Sequence, residues 1–165
     1  MGEGNPLSQL AHQGKIAFDN LQSEREYKPL YGAYAQSKLA DLMFMIELQR
    51  RLSAAGSPII SAGAHPGIAV TNLQSNLTGL FKLLGPLLTP IIGQDAAHGA
   101  LPTLYAATSP DVVPGGYYGP DARTERKGYP AAARIPRSAI DADVAQRLWA
   151  EAERLTAVAL RPQTL

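Results

Sequence analysis

The chain has 165 residues, with 15 Lys and Arg against 14 Asp and Glu, three His and no Cys. A formal charge of +1 with the two signs interspersed gives no electrostatic basis for nucleic acid or an anionic membrane as the main partner, and the lack of cysteine excludes disulfides, thiolate catalysis and Cys-ligated metal sites. With 45% apolar and 18% charged residues the chain can bury a core, and its 15 Gly and 13 Pro fit one loop-rich α/β domain rather than a helix bundle.

Residues 1–30 are polar and punctuated by Pro6, Gly14 and Pro29, which reads as loop with at most a strand fragment at Ile16–Phe18. Met1–Lys15 holds no apolar run as long as a signal-peptide core. The most apolar stretch, Leu77–Ile92, is too short and too interrupted by Gly79, Lys82, Gly85, Pro86 and Pro90 to cross a bilayer. The expectation is a cytoplasmic protein without a membrane span. From about Gly32 to Gly56 the spacing predicts a long helix, with Leu39, Leu42, Met43, Ile46 and Leu52 on its apolar side and Glu47, Gln49, Arg50 and Arg51 opposite. Pro58–Ala64, uncharged and bounded by turn formers, suits a buried parallel strand that His65-Pro66-Gly67 then stops.

Gln94-Asp95 caps a second helix running through Ala107, with a kink expected at Pro102. Gly115–Pro120 reads as a second strand. Residues 121–137 read as a loop in which Arg123, Arg126, Lys127, Arg134 and Arg137, with one acid at Glu125, form a solvated basic cluster. The last helix starts near Asp141, with Val144, Leu148, Ala152, Leu155 and Val158 lining one face and Trp149 packing beside them. His12, His65 and His98 lack metal-ligand spacing, so no metal site is expected. The alternation of helix and strand is that of an α/β sheet with parallel strands. Two strands alone are marginal in water, so the chain reads as part of a sheet whose other strands are missing.

Tyr34 and Lys38 stand four residues apart at the start of the long helix. A four-residue step places both side chains on one helix face, where they can serve one site. A free phenol has a pKa of about 10, and bringing it to neutrality takes about 4 kcal/mol. A cation about 4 Å away at an effective dielectric near 20 supplies about that much. Such a pair also arises by chance on a solvated surface; its context raises it, because the helix leads into a buried strand ending at His65-Pro66-Gly67.

Here the sequence resembles the short-chain dehydrogenase/reductase family, in its retinol-dehydrogenase-like and protochlorophyllide-reductase-like branch. The resemblance runs through Phe18–Gln22, Ala33–Ala40, Glu47–Leu52, His65-Pro66-Gly67 with Thr71 and Leu73, Gly99–Ala107 and Tyr117–Pro120, and covers residues 11 to about 160. It implies the C-terminal part of a Rossmann-like doubly wound parallel sheet, with the N-terminal strands missing and the whole of 1–165 one partial domain. It also implies an NAD(P)-dependent oxidoreductase that interconverts an alcohol and a carbonyl, NADP being favoured over NAD. In that reading Tyr34 is the acid/base. Lys38 binds the nicotinamide ribose and holds the phenol's pKa down, Pro66 and Gly67 pack on the nicotinamide, and Thr71 lies near its carboxamide and phosphates. Tyr31 reads as a packing residue near the substrate. The loop Leu73–Gly93 would cover that substrate, and its apolar content points to a hydrophobic small molecule.

The chain departs from the family pattern in two places. The catalytic serine falls at Gln9, with Ser8 one residue away and so facing the other side of a strand. No glycine-rich turn between strand and helix is present, so the group that cradles the cofactor pyrophosphate is missing. A second reading therefore stands beside the enzyme: a non-catalytic remnant or partner-dependent module, associating with itself or with a complementing N-terminal half through an exposed strand edge. An isomerase or dehydratase of the extended branch would place Tyr-Gly-Pro soon after the first strand. Here Tyr118-Gly119-Pro120 comes only after a further helix, which counts against it.

Overall fold

The computed structural model describes residues 14–68 and 93–159, and these fall into two compact units. One lies within Ala64–Val112 and Tyr117–Ala133, the other within Gln9–Gly63, Val113–Gly116 and Arg134–Leu165. Among the described residues the sheet has three strands, β1 (Gly63–Ala64), β2 (Tyr117–Pro120) and β3 (Pro130–Ala132), in the order β1-β2-β3. The helices are α1 (Ala35–Ala54), α2 (Ala96–Thr108) and α3 (Ala142–Thr156). The α/β class is therefore as the sequence implies, and no helix among the described residues is long and apolar enough to cross a membrane.

The unit that carries α1 is built on that helix. A π-helical turn, Pro29–Tyr34, precedes it, with the Ala33 N–H donating to the Lys28 carbonyl at 2.8 Å. The helical rise thus begins earlier than Gly32, and the α-helix proper begins later. Ala35, Leu39, Leu42, Met43, Met45 and Leu52 are buried. Contrary to the polar face expected for them, Glu47 and Gln49 are buried too, Glu47 to 2% exposure. Both are satisfied locally. Glu47 accepts from Arg50 Nε and Arg51 Nε, each at 2.7 Å, while Gln49 accepts the Ser61 N–H at 2.7 Å and donates to Ser53 Oγ at 3.0 Å. A buried carboxylate is tolerable only with such partners.

Helix α3 starts at the N-cap Asp141, whose carboxylate accepts the Val144 N–H at 3.1 Å. The residues it buries are Ala145 and Trp149, not the expected stripe ending in Leu155 and Val158, which are exposed. Trp149 fixes that rotation. Its ring stacks on Phe44 with centroids 5.0 Å apart and planes 7° from parallel, Arg51 lies 4.4 Å over its face, and its Nε1 donates to Glu153 at 2.8 Å. Val158 lies beyond the helix, past Ala157 at φ 55°.

The strand expected over Pro58–Ala64 is confined to Gly63–Ala64. Its bonds to the neighbouring strand run Gly63 N–H to Gly116 and His65 N–H to Tyr118, a two-residue progression on both chains that makes the pairing parallel. Ile59 and Ile60 are 49% and 48% exposed, because among the described residues β1 is paired along one edge only. The loop expected over 121–137 contains β3, antiparallel to β2 in the register Tyr118↔Ala132, Gly119↔Ala131 and Pro120↔Pro130, and ends in a 3₁₀ turn, Arg137–Ile140. Proline at the first position of an edge strand removes no ladder bond, so Pro130 is compatible with a strand here.

In the other unit, Asp95 caps α2 by accepting the His98 N–H at 2.8 Å, as the sequence predicts, and Pro102 is buried inside the helix. Tyr105 of α2 lies against buried Tyr118 of β2, ring centroids 5.2 Å apart.

Replacing Trp149 with Ala removes the stack, the cation contact and the hydrogen bond together, and should lower unfolding stability by about 3–5 kcal/mol, read from urea melts by circular dichroism. The two arginines hold the Glu47 carboxyl below its ordinary value of 4.5 against the opposing effect of burial. Its stabilisation is therefore fully present above pH 4.5 and is lost as pH falls below that and through the lower folded value. Thermal melts taken down the acid range should fall more steeply for the native chain than for Glu47→Gln.

Candidate functional site

Tyr34 is the last residue of the π-helical turn and the one that hands over to α1. Two contacts fix this junction: the Gln36 amide accepts the Ala17 N–H at 2.8 Å and donates to the Leu21 carbonyl at 3.3 Å, and Ser37 Oγ donates to the Tyr34 carbonyl at 2.8 Å. With Ala35 and Leu39 buried, the opposite face carries Tyr34, 39% exposed, and Lys38. The structure brings these two together, with Lys38 Nζ 5.9 Å from the Tyr34 ring centroid. It also adds a group that the four-residue spacing did not point to. Lys38 Nζ donates to Asp41 Oδ2 at 2.7 Å, and this hydrogen bond raises the lysine above its ordinary value of 10.5. Lys38 is thereby kept as an ammonium, while the carboxylate offsets part of the field it casts on the phenol. An acidic residue three positions after the lysine is the sequence signal for it.

Pro66 and Gly67 form the second element, a turn in the other unit. Gly67 has φ 66°, and a Cβ there would overlap the Arg126 carbonyl, so the position needs glycine on two counts. The turn is held on every side. Its Gly67 N–H donates to His65 Nδ1 at 3.2 Å, the Pro66 carbonyl accepts from Gln94 Nε2 at 2.9 Å, and the Ile68 N–H donates to the Arg126 carbonyl at 2.8 Å. The other end of the Gln94 amide accepts the Gly128 N–H at 2.9 Å.

His65 is itself enclosed. Its Nε2 lies 3.3 Å from Glu125 Oε2, its ring is 5.2 Å from that of Tyr117, and a Cβ on Gly119 would overlap Nε2. Burial pushes the imidazole below its ordinary value of 6.5, and the Glu125 carboxylate pulls in the opposite direction. Segment 121–137 is thus not simply solvated: Glu125 is 16% exposed, and Arg126 Nε is buried. The Arg126 backbone bonds to the turn, and Glu125 is held beside His65.

Thr71, Ser8, Gln9 and His12 lie outside the described residues, as do the Tyr31 side chain and the expected substrate cover up to residue 92. His98 pairs with Asp95 at 2.9 Å, and among the described residues no group of three His, Asp or Glu side chains is placed to hold a metal ion. Gln94, read from sequence only as part of a helix start, and His65, read only as a strand stop, turn out to be the side chains that hold the Pro66–Gly67 turn. Gln94 and Pro66 are 28 residues apart, so no local pattern signals their contact.

The chain thus carries an exposed phenol beside an ammonium on one helix and, in the other unit, a glycine turn at the carboxyl end of a parallel strand. No protein-family model matches the chain. The chain is 34% identical over 145 residues to polyprenol dehydrogenase of Mus musculus, a match covering 87% of this chain and 40% of that protein. To human retinol dehydrogenase 14 it is 36% identical over 146 residues (86% and 40%), and to human retinol dehydrogenase 13 it is 35% identical over 158 residues (90% and 44%). The crystal structure of an uncharacterized protein from Mycobacterium paratuberculosis matches with a TM-score of 0.70 and 37% identity, covering 92% of this chain and 48% of that one. These matches place the chain in the short-chain dehydrogenase/reductase family, aligned with its C-terminal portion. It spans about two fifths of the length of the relatives named.

Asp41→Asn removes the carboxylate and keeps the size. In that variant Lys38 should titrate closer to 10.5, a downward shift readable from the side-chain NMR resonances of Lys38.

Proposed function

We propose that this chain carries the catalytic helix of an NAD(P)-dependent oxidoreductase interconverting an alcohol and a carbonyl on a hydrophobic small molecule. The observation that carries the reading is the Tyr34–Lys38 pair on the exposed face of α1, 5.9 Å from ring centroid to Nζ, in a chain whose relatives are dehydrogenases. In alcohol oxidation Tyr34 Oη takes the hydroxyl proton; in carbonyl reduction it returns one to the oxygen. A bound nicotinamide would supply or accept the hydride. Lys38, kept cationic by Asp41, donates to the ribose hydroxyls and orients the phenol. Pro66 and Gly67 are the proposed packing surface for the nicotinamide ring, and Thr71 is the proposed contact to the carboxamide. A phenol with an ammonium one helical turn on is the pairing that would suit the nicotinamide-ribose end of the cofactor. NADP is favoured over NAD by the family resemblance alone.

The half-exposed Ile59 and Ile60, which precede a strand paired along one edge among the described residues, favour one addition: a complementing segment that supplies the neighbouring strands and the pyrophosphate cradle. The dehydrogenase relatives weigh against a purely non-catalytic module.

Titration with NADPH and NADH, followed by quenching of the single tryptophan, should show binding by the unmodified chain. Tyr34→Phe should keep that binding and lose about a hundred- to ten-thousand-fold in turnover of a long-chain alcohol. Failure of the unmodified chain to bind either nucleotide, alone and with a family N-terminal half, would overturn the reading.

A further inference from the structure

Turns at strand ends normally take their shape from backbone bonds, and a turn clamped by side chains from both sides is a different construction. The Pro66–Gly67 turn is of the second kind. The imidazole of His65 accepts the Gly67 N–H at Nδ1, so this nitrogen is without a proton and Nε2–H faces Glu125. On the other side the Gln94 amide bridges 28 residues back to the Pro66 carbonyl and 34 forward to the Gly128 N–H, using its donor for one and its acceptor for the other. Glu125 stands at φ 51°, a left-handed conformation that a glutamate adopts only when its surroundings impose it. Gly119 has no side chain where the His65 ring lies. Strain accepted at Glu125 and space vacated at Gly119 both serve the placement of one imidazole.

We infer that His65 and Gln94 are positioning residues, a two-sided clamp that fixes the Pro66–Gly67 turn in the shape that meets the nicotinamide. The function of the clamp rests on the oxidoreductase reading; its existence does not. The geometry also fixes the chemistry each side needs. One side requires an acceptor at the Nδ1 position, the other a donor to Pro66.

Amide hydrogen exchange on the full chain reads the clamp without cofactor. His65→Phe keeps a ring against Tyr117 and removes the acceptor, so exchange at Gly67 should rise tenfold or more, while Ile68, bonded to the Arg126 carbonyl, changes less than threefold. His65→Asn, whose side-chain oxygen can stand in for Nδ1, should restore most of the protection. Gln94→Glu keeps the acceptor for Gly128 and loses the donor to Pro66, and should weaken NADPH binding about tenfold without lowering the melting temperature. Equal Gly67 exchange in the native chain and His65→Phe, or no rescue by His65→Asn, would overturn the clamp. A loosened turn with unchanged NADPH affinity would overturn its positioning role. If the native chain binds no nicotinamide nucleotide, the oxidoreductase reading and the role of the clamp fall together, and the exchange rates still decide whether the clamp exists.

Discussion

Helix α1 is buried on more than one side, and the unit that contains it is organised by the consequences. An ordinary amphipathic helix hides one stripe, but here Met45, Glu47 and Gln49 are enclosed along with Leu39, Leu42 and Met43. Enclosure brings polar atoms inside, and each has to be answered. Glu47 is answered by Arg50 and Arg51 from the next turn of the same helix, and Arg51 then lies over the Trp149 ring that joins α1 to α3. Gln49 is answered by the backbone leading into β1. At the start of the helix Tyr34, Lys38 and Asp41 lie on the side that the burial stabilising the unit leaves uncovered.

The two candidate elements are shaped by opposite means. Tyr34 and Lys38 obtain their relation from helix geometry, which costs nothing beyond forming the helix, and their neighbours need only leave them uncovered. Pro66 and Gly67 sit where the regular ladder ends and have no such template. Their shape comes from His65, Gln94 and the Arg126 carbonyl, which are contributed by separate stretches of chain.

The same distinction explains what could be read in the sequence. Tyr34 with Lys38, the capping Asp95 and the stop at His65-Pro66-Gly67 are all local patterns, and the structure places them as the patterns imply. Glu47 and Gln49 were misplaced because charge and polarity predict exposure unless the partners are known, and the partners here depend on tertiary burial. Trp149 outweighed the apolar stripe of α3 because one large ring with three specific contacts determines rotation more than a row of smaller residues does. Strand β3 escaped notice since three residues beginning with proline carry no period-two signal. The expected cover beyond Gly67, with Thr71, lies outside the described residues.

Proline at position 130 gives the small sheet a direction. On its β3 side the edge is three residues long and opens with a residue that has no N–H to offer, which makes it a poor template for another strand. On its β1 side the edge is free among the described residues and is preceded by two half-exposed isoleucines. Among the described residues the two edges of the sheet therefore differ: the β3 edge is the poorer template for a further strand, and the β1 edge is the one its chemistry leaves receptive.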